Sequence, residues 1–262
     1  MKRYILAAIK DILDEPGSIQ FQAARDTSTS PRILERLAQS DAEDVRRAVA
    51  YNRNTPENAL LQLANDPNFG VKTRLTERSV VPDKVLLALL DDEAARMRYW
   101  VLSAVIPDGD DPPRMAPGPE VFMKLAEDDD DWIRNSLAKS SAEIELPIEV
   151  QKKLACDKDL YVRKSLVLYR ENVPTEIIDL LMDDPEPSVR CALARDMDAP
   201  REYYEHFVKD PDISVRRALL LNSNTPMDVL ERFLGDPDAK LRKYAEDRIL
   251  SRQQRASWGN NT

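Results

Sequence analysis

Apolar residues recur along this chain at helical spacing, in short blocks broken by prolines. Within residues 224–249, Val229, Leu230, Phe233 and Leu234 stand at i, i+1, i+4 and i+5, one face of a helix. Gly235 stops that block, and Leu241, Tyr244, Ala245 and Ile249 give a second helix its apolar stripe. Thr225 precedes Pro226 and Asp236 precedes Pro237. Each helix is therefore expected to open on a capping side chain with proline at its first position, where the missing N–H would be unpaired anyway. Helices of two or three turns are marginal alone, since isolated helices below ~12 residues hardly form in water. The pattern asks for a stack of hairpins.

The same unit recurs eight times. Its first helices are marked by Pro31, Pro56, Pro82, Pro119, Pro147, Pro174, Pro200 and Pro226. Next come Ser40, Asp66, Asp92, Asp128, Asp157, Asp184, Asp210 and Asp236, and six residues after each of these a cation: Arg46, Lys72, Arg98, Arg134, Arg163, Arg190, Arg216 and Arg242. A period of about 26 residues is the mark of a solenoid. Residues 2–13 and 19–25, joined by a turn at 14–18, read as a worn first hairpin, so residues 1–30 are expected to form an N-terminal cap. The prediction is an all-α solenoid of about eight and a half hairpins over residues 1–250, with a frayed tail at 251–262. One unit is long: residues 106–118, IPDGDDPPRMAPG, cannot continue a helix and predict a protruding surface loop.

Composition adds less. The net charge is −9. Residues 91–131 hold twelve acidic against four basic residues, which leaves the rest close to neutral. A nucleic-acid grip should instead show a basic stripe. Cys156 and Cys191 stand at different positions of adjacent units and read as free thiols of a reducing, cytoplasmic setting. No apolar run approaches a membrane span.

The wording of the units resembles the leucine-rich repeat variant family, a HEAT-like group. Asn54-Thr55-Pro56 and Asn224-Thr225-Pro226 carry the resemblance, with Val45-Arg46-Arg47-Ala48 and Val215-Arg216-Arg217-Ala218. It implies a right-handed superhelix whose second helices line the concave surface. A founding member type carries an N-terminal cysteine cluster around an iron–sulfur centre, which takes four thiolates. Two cysteines far from the N-terminus do not fit it, and no cofactor is expected.

Candidate chemistry is sparse. His206 is the sole histidine, on a first helix at a position where other units carry exposed residue types. Asp128 to Asp131 lack the spacing and central glycine of a calcium loop and read as a helix start. No catalytic or metal-ligating set can be assembled. The recurring cations are expected to reach aspartates or loop carbonyls of adjacent units, because a guanidinium fork satisfies two acceptors at once. The residue after each ladder cation varies, and by the resemblance faces the groove or its rim. Arg47, Tyr99, Asn135, Lys164, Arg217 and Lys243, with Tyr51 and Tyr161, are the candidate partner-binding residues. Trp100 and Trp132 are expected to pack between units. The reading is a non-enzymatic scaffold for a protein or peptide, the acidic loop region selecting a basic feature of it. The alternatives are a HEAT-like nucleic-acid-binding or DNA-glycosylase-type protein, or an accessory factor acting on a partner's cofactor.

Overall fold

A computed structural model describes residues 17–106, 113–168 and 172–259. Regular structure among the described residues is entirely helical. Among the described residues, helix α1 (Gly17–Arg25) precedes eight hairpins. They are α2/α3 (Pro31–Leu37, Glu43–Tyr51), α4/α5 (Glu57–Ala64, Phe69–Thr76), α6/α7 (Asp83–Leu90, Ala95–Val105) and α8/α9 (Pro119–Ala126, Asp131–Ser140). There follow α10/α11 (Ile148–Ala155, Leu160–Val167), α12/α13 (Thr175–Leu181, Pro187–Asp196), α14/α15 (Arg201–Phe207, Ile213–Leu221) and α16/α17 (Met227–Arg232, Ala239–Gly259), with one 3₁₀ turn, Phe233–Gly235, inside the last. The chain forms two compact units, Met1–Ile133 and Arg134–Thr262, and α9 carries the division.

Within each unit the hairpins stack as an α-solenoid. In the first, α1, α3, α5 and α7 pack in sequence as one layer and α4, α6 and α8 as the other. In the second, α11, α13 and α15 form one layer, and α10 packs on α12 in the other. The second helices contact each other more extensively than the first helices do. The core is what the spacing predicts. Val45 and Val49, Val71 and Leu75, Val162 and Leu166, and Val215 and Leu219 are all buried, at i and i+4 of successive second helices. Leu34, Leu63, Leu89, Ile178, Phe207 and Phe233 are buried from the first helices. Each large side chain contributes about 2 kcal/mol by leaving water.

The helix starts differ from expectation. Proline holds the first helical turn only at Pro31, Pro119 and Pro187. Pro56, Pro82, Pro147, Pro174, Pro200 and Pro226 sit one place earlier, extended, at the cap itself. Thr225 is not a cap: its hydroxyl donates back to Leu219 O at 2.6 Å, as Thr55 does to Val49 O at 2.6 Å. The ladder aspartates do not cap either. Each orders the turn by accepting the N–H two residues on, and caps such as Asn68, Asp159 and Asp212 follow.

Three further expectations meet the structure. The helix expected at 2–13 and residues 107–112 of the insertion lie outside the described residues. The rest of the insertion folds back: Met115 is buried, its N–H donates to Ala104 O at 3.0 Å, and Gly118 N–H donates to Asp83 Oδ2 at 3.0 Å. A Cβ at Gly118 would stand 2.5 Å from that carboxylate oxygen, so any larger residue there would push the Asp83 side chain aside. At the other end, α17 runs on to Gly259 instead of fraying at 251. Arg252 ties it down, donating to Thr225 O at 2.6 Å and also to Ser223 O.

Candidate binding surface

The ladder cations are consumed inside the stack. Arg163 donates from Nε to Asp184 Oδ2 at 2.6 Å and from Nη2 to Asp184 Oδ1 at 3.0 Å, while Nη1 reaches Asp157 O in its own turn at 2.9 Å. One guanidinium thus joins its own turn to the next. Arg46–Asp66, Arg98–Asp128, Arg134–Asp157, Arg190–Asp210 and Arg216–Asp236 repeat the fork at Nε–Oδ2 distances of 2.6–2.8 Å. In these six rungs the arginine side chains are 5–16% exposed and the aspartates 2–6%. Lys72 contacts Asp92 through its single Nζ. The first rung is uncharged: Ser40 Oγ donates to Gln20 Oε1 at 3.0 Å. The last cation, Arg242, holds its own turn through Asp236 O at 2.6 Å and Pro237 O at 3.1 Å.

Burial pushes the Asp157 carboxyl up, but the Arg134 fork and the Asp159 N–H outweigh it and hold Asp157 below the ordinary carboxylate range. Asp92 is lowered in the same way, against burial, by Lys72 and the Ala94 N–H. The hydrogen bonds to their aspartates raise Arg46, Arg98, Arg163, Arg190 and Arg216.

A second stitch lies six residues beyond the ladder. Asn222 Nδ2 donates to Ala194 O at 3.1 Å and Met197 O at 2.8 Å, and its Oδ1 accepts from Asn224 N–H at 2.8 Å. Asn52 does the same with Ala24 O, Asp26 O and Asn54 N–H. At the matching position Arg78 and Arg248 use their guanidinium groups on carbonyls of the preceding turn.

With ladder and core accounted for, one stripe of each second helix remains: two residues before the ladder position and one, two and five after it. Most of the candidate residues sit on it. Tyr161 (64% exposed), Tyr51 (55%) and Tyr99 (44%) are surface aromatics. Arg217 and Lys243 are exposed, whereas Arg47, Asn135 and Lys164 are half-buried. The Asn135 Oδ1 atom is buried without a partner. Trp132 is not buried between repeats: it meets Tyr99 of the preceding repeat with ring centroids 5.1 Å apart, but at the surface, 51% exposed. Trp100 is half-buried.

Arg47 and Tyr51 are brought together in a groove over α1, α3 and α5, whose walls also include Phe21, Arg25, Arg53 and Arg74. Lys164 and Arg217 are brought together around Cys191. Burial pushes that thiol up against the pull of Lys164, Arg217 and Arg195, so it stays protonated and is a poor nucleophile. Sequence reading missed Phe21, Arg25, Arg74 and Arg195. The ladder register finds them: they stand one, five, two and five residues after Gln20, Gln20, Lys72 and Arg190. His206 lies on α14, its Nε2 3.2 Å from Asp183 Oδ1 and its ring edge-on to Phe207. Among the described residues no helix is long and apolar enough to cross a membrane.

The leucine rich repeat variant family model matches residues 43–68, which span α3 to the cap of α5. The solved structure "A leucine-rich repeat variant with a novel repetitive protein structural motif" is similar at 20% identity, covering 80% of this chain and 88% of that one, with a TM-score of 0.35. A computationally designed armadillo repeat protein for modular peptide recognition is similar at 11% identity over 93% of this chain and 98% of its own, with a TM-score of 0.21. Among the curated proteins no match is found. Residues 43–68 match one leucine rich repeat variant unit, which runs from the second helix of the first hairpin to the cap of the second helix of the next, and the six-residue spacing to the ladder cation recurs in all eight hairpins.

Proposed function

We propose that this protein is a non-enzymatic scaffold that binds a protein or peptide segment along the open face of its second helices. The observation that carries the reading is the contrast between the two sets of side chains on those helices. Six ladder arginines are largely buried and spent on aspartates, whereas the stripe beside them repeatedly offers exposed tyrosines, a tryptophan and basic residues at the surface. Aromatics and arginines are the side chains that anchor interfaces. The more extensively packed layer of a solenoid is its inner side, so this stripe faces a concavity in each unit.

The overall acidity does not make the partner basic. The acidic residues lie largely in the turns, where the aspartates are taken by ladder cations, while the stripe itself is arginine- and lysine-rich. Panning a displayed library of linear peptides against the whole chain tests the reading. Tyr51→Ala or Tyr161→Ala should weaken selected binders at least tenfold, and Leu180→Ala, exposed on the first-helix layer, should leave them unchanged. A panel of binders indifferent to both tyrosine changes would remove the second-helix face as the site.

A further inference from the structure

We propose that the groove over α1, α3 and α5 seats an extended acidic peptide, its Asp or Glu carboxylates taken by Arg25, Arg47, Arg53 and Arg74 and its apolar side chains laid against Phe21 and Tyr51. This rests on the second-helix layer being the binding face. The groove has a volume of about 590 Å³, room for several side chains, and Asp44 is the one acidic residue among its described lining.

The arginines of the groove differ in kind from the ladder arginines. Arg47 Nε is buried with no hydrogen-bond partner. Its Nη1 lies 4.0 Å from Glu43 Oε1 and 3.9 Å from Asp44 Oδ1, too far for hydrogen bonds. In the six forked ladder arginines the Nε edge carries a carboxylate; in Arg47 that edge carries none. Arg53 is exposed and donates to no acceptor among the described residues. Arg25 lies over the Phe21 ring at 5.6 Å, and Arg74 over Tyr51 at 6.0 Å while Glu77 takes its Nη1 at 2.5 Å.

One feature disfavours a nucleic acid: the ring faces of Phe21 and Tyr51 carry guanidinium groups on one side, which obstructs base stacking, the main source of single-strand affinity. The guanidinium edges of Arg25 and Arg53 suit planar, two-point pairing with carboxylates, as they would with phosphates, and the oligonucleotide probe below separates the two. Spacing also fits. Packed helices stand ~8–10 Å apart and an extended chain rises ~3.3 Å per residue. Arginines on successive helices therefore meet carboxylates about three residues apart.

Fluorescence anisotropy on the whole chain decides it. The probes are a labelled twelve-residue peptide with Glu at every third position and Leu or Ala between, its Lys counterpart, and single-stranded oligo-dT of equal length. The Glu peptide is expected to bind and the Lys peptide not. Arg25→Glu with Arg53→Glu should weaken the Glu peptide at least tenfold, Arg47→Lys several-fold, and Lys209→Glu, exposed in the turn after α14 of the other unit, not at all. Should the double variant lose its cooperative melt, Arg53→Glu alone serves. Equal or tighter binding of the Lys peptide, or indifference to the double variant, overturns the proposal. Oligo-dT binding that is tighter and lost in the same variants overturns it in favour of nucleic acid. If library-selected peptides remain sensitive to Tyr51→Ala while the Glu peptide fails, only the acidic class falls. If no peptide of any kind binds, the scaffold reading falls with it.

Discussion

A guanidinium does two opposite jobs in this protein, and its neighbours decide which. Where an aspartate stands twenty to thirty residues further on, the fork is closed and the side chain is part of the stack. One residue later, at Arg47, the same group has no such aspartate and faces the groove. Closed rungs carry a pH signature. Asp157 is held below its ordinary value of 3.8 in the folded chain. A carboxylate with a depressed folded pKa stabilises the fold fully above its unfolded pKa, and that contribution is lost as pH falls through the folded one. Stability to urea should therefore stay level from pH 7 to about 5 and fall steeply below about 3.8. Asp157→Asn should cost about 3 kcal/mol at pH 7, because it leaves the largely buried Arg134 without its counter-charge, and should shrink the acid-side loss. An Asp157→Asn chain that matches the original at neutral pH in urea titrations would show that the rung contributes nothing.

At the level of the hairpin, the turns are held by side chains that read as ordinary loop residues. Asn222 is 1% exposed and satisfies two carbonyls of the preceding unit and one N–H of its own turn. Asn222→Ala strands all three and should cost about 2–3 kcal/mol. The measurement is a urea melt, with amide exchange at Asn224 as the local readout. If the midpoint does not move, water has replaced the amide and the stitch is not structural. These elements also show what sequence can and cannot disclose. Helix number, hairpin order and core positions follow from the spacing of apolar residues, which burial alone decides. Cap positions do not: Pro226 and Thr225 fit two registers one residue apart, and the Thr225 bond to Leu219 O selects between them. The ladder was legible because Asp and Arg recur at a fixed distance. Half the groove was not, because Phe21, Arg25 and Arg74 occupy different positions on two helices, and only the ladder register aligns them. Trp132 was misplaced because a large apolar side chain fits core and surface aromatic pairs equally well on sequence grounds.

Over the whole chain, the repeated rung makes stability a sum of neighbour terms, and the way rungs share turns predicts how that sum behaves. Arg216 binds the Asp236 carboxylate and, through Nη1, the backbone carbonyl of Asp210, while Asp210 itself takes the fork from Arg190. Adjacent rungs are therefore linked through one turn. The Arg134–Asp157 and Arg216–Asp236 rungs, in the same unit, share no residue and have the Arg163 and Arg190 rungs between them. Losses at sites without shared partners usually add within about 0.5 kcal/mol, whereas sites in one network couple by 0.5–3 kcal/mol. Asp157→Ala and Asp236→Ala are expected to add. Asp210→Ala and Asp236→Ala should together cost less than their sum, because the turn that Arg216 grips is already loosened by the first change. Double-mutant cycles by urea unfolding separate the cases. Equal coupling in both pairs would mean that the second unit melts as one block, and that the rungs hold it through its global packing instead of turn by turn.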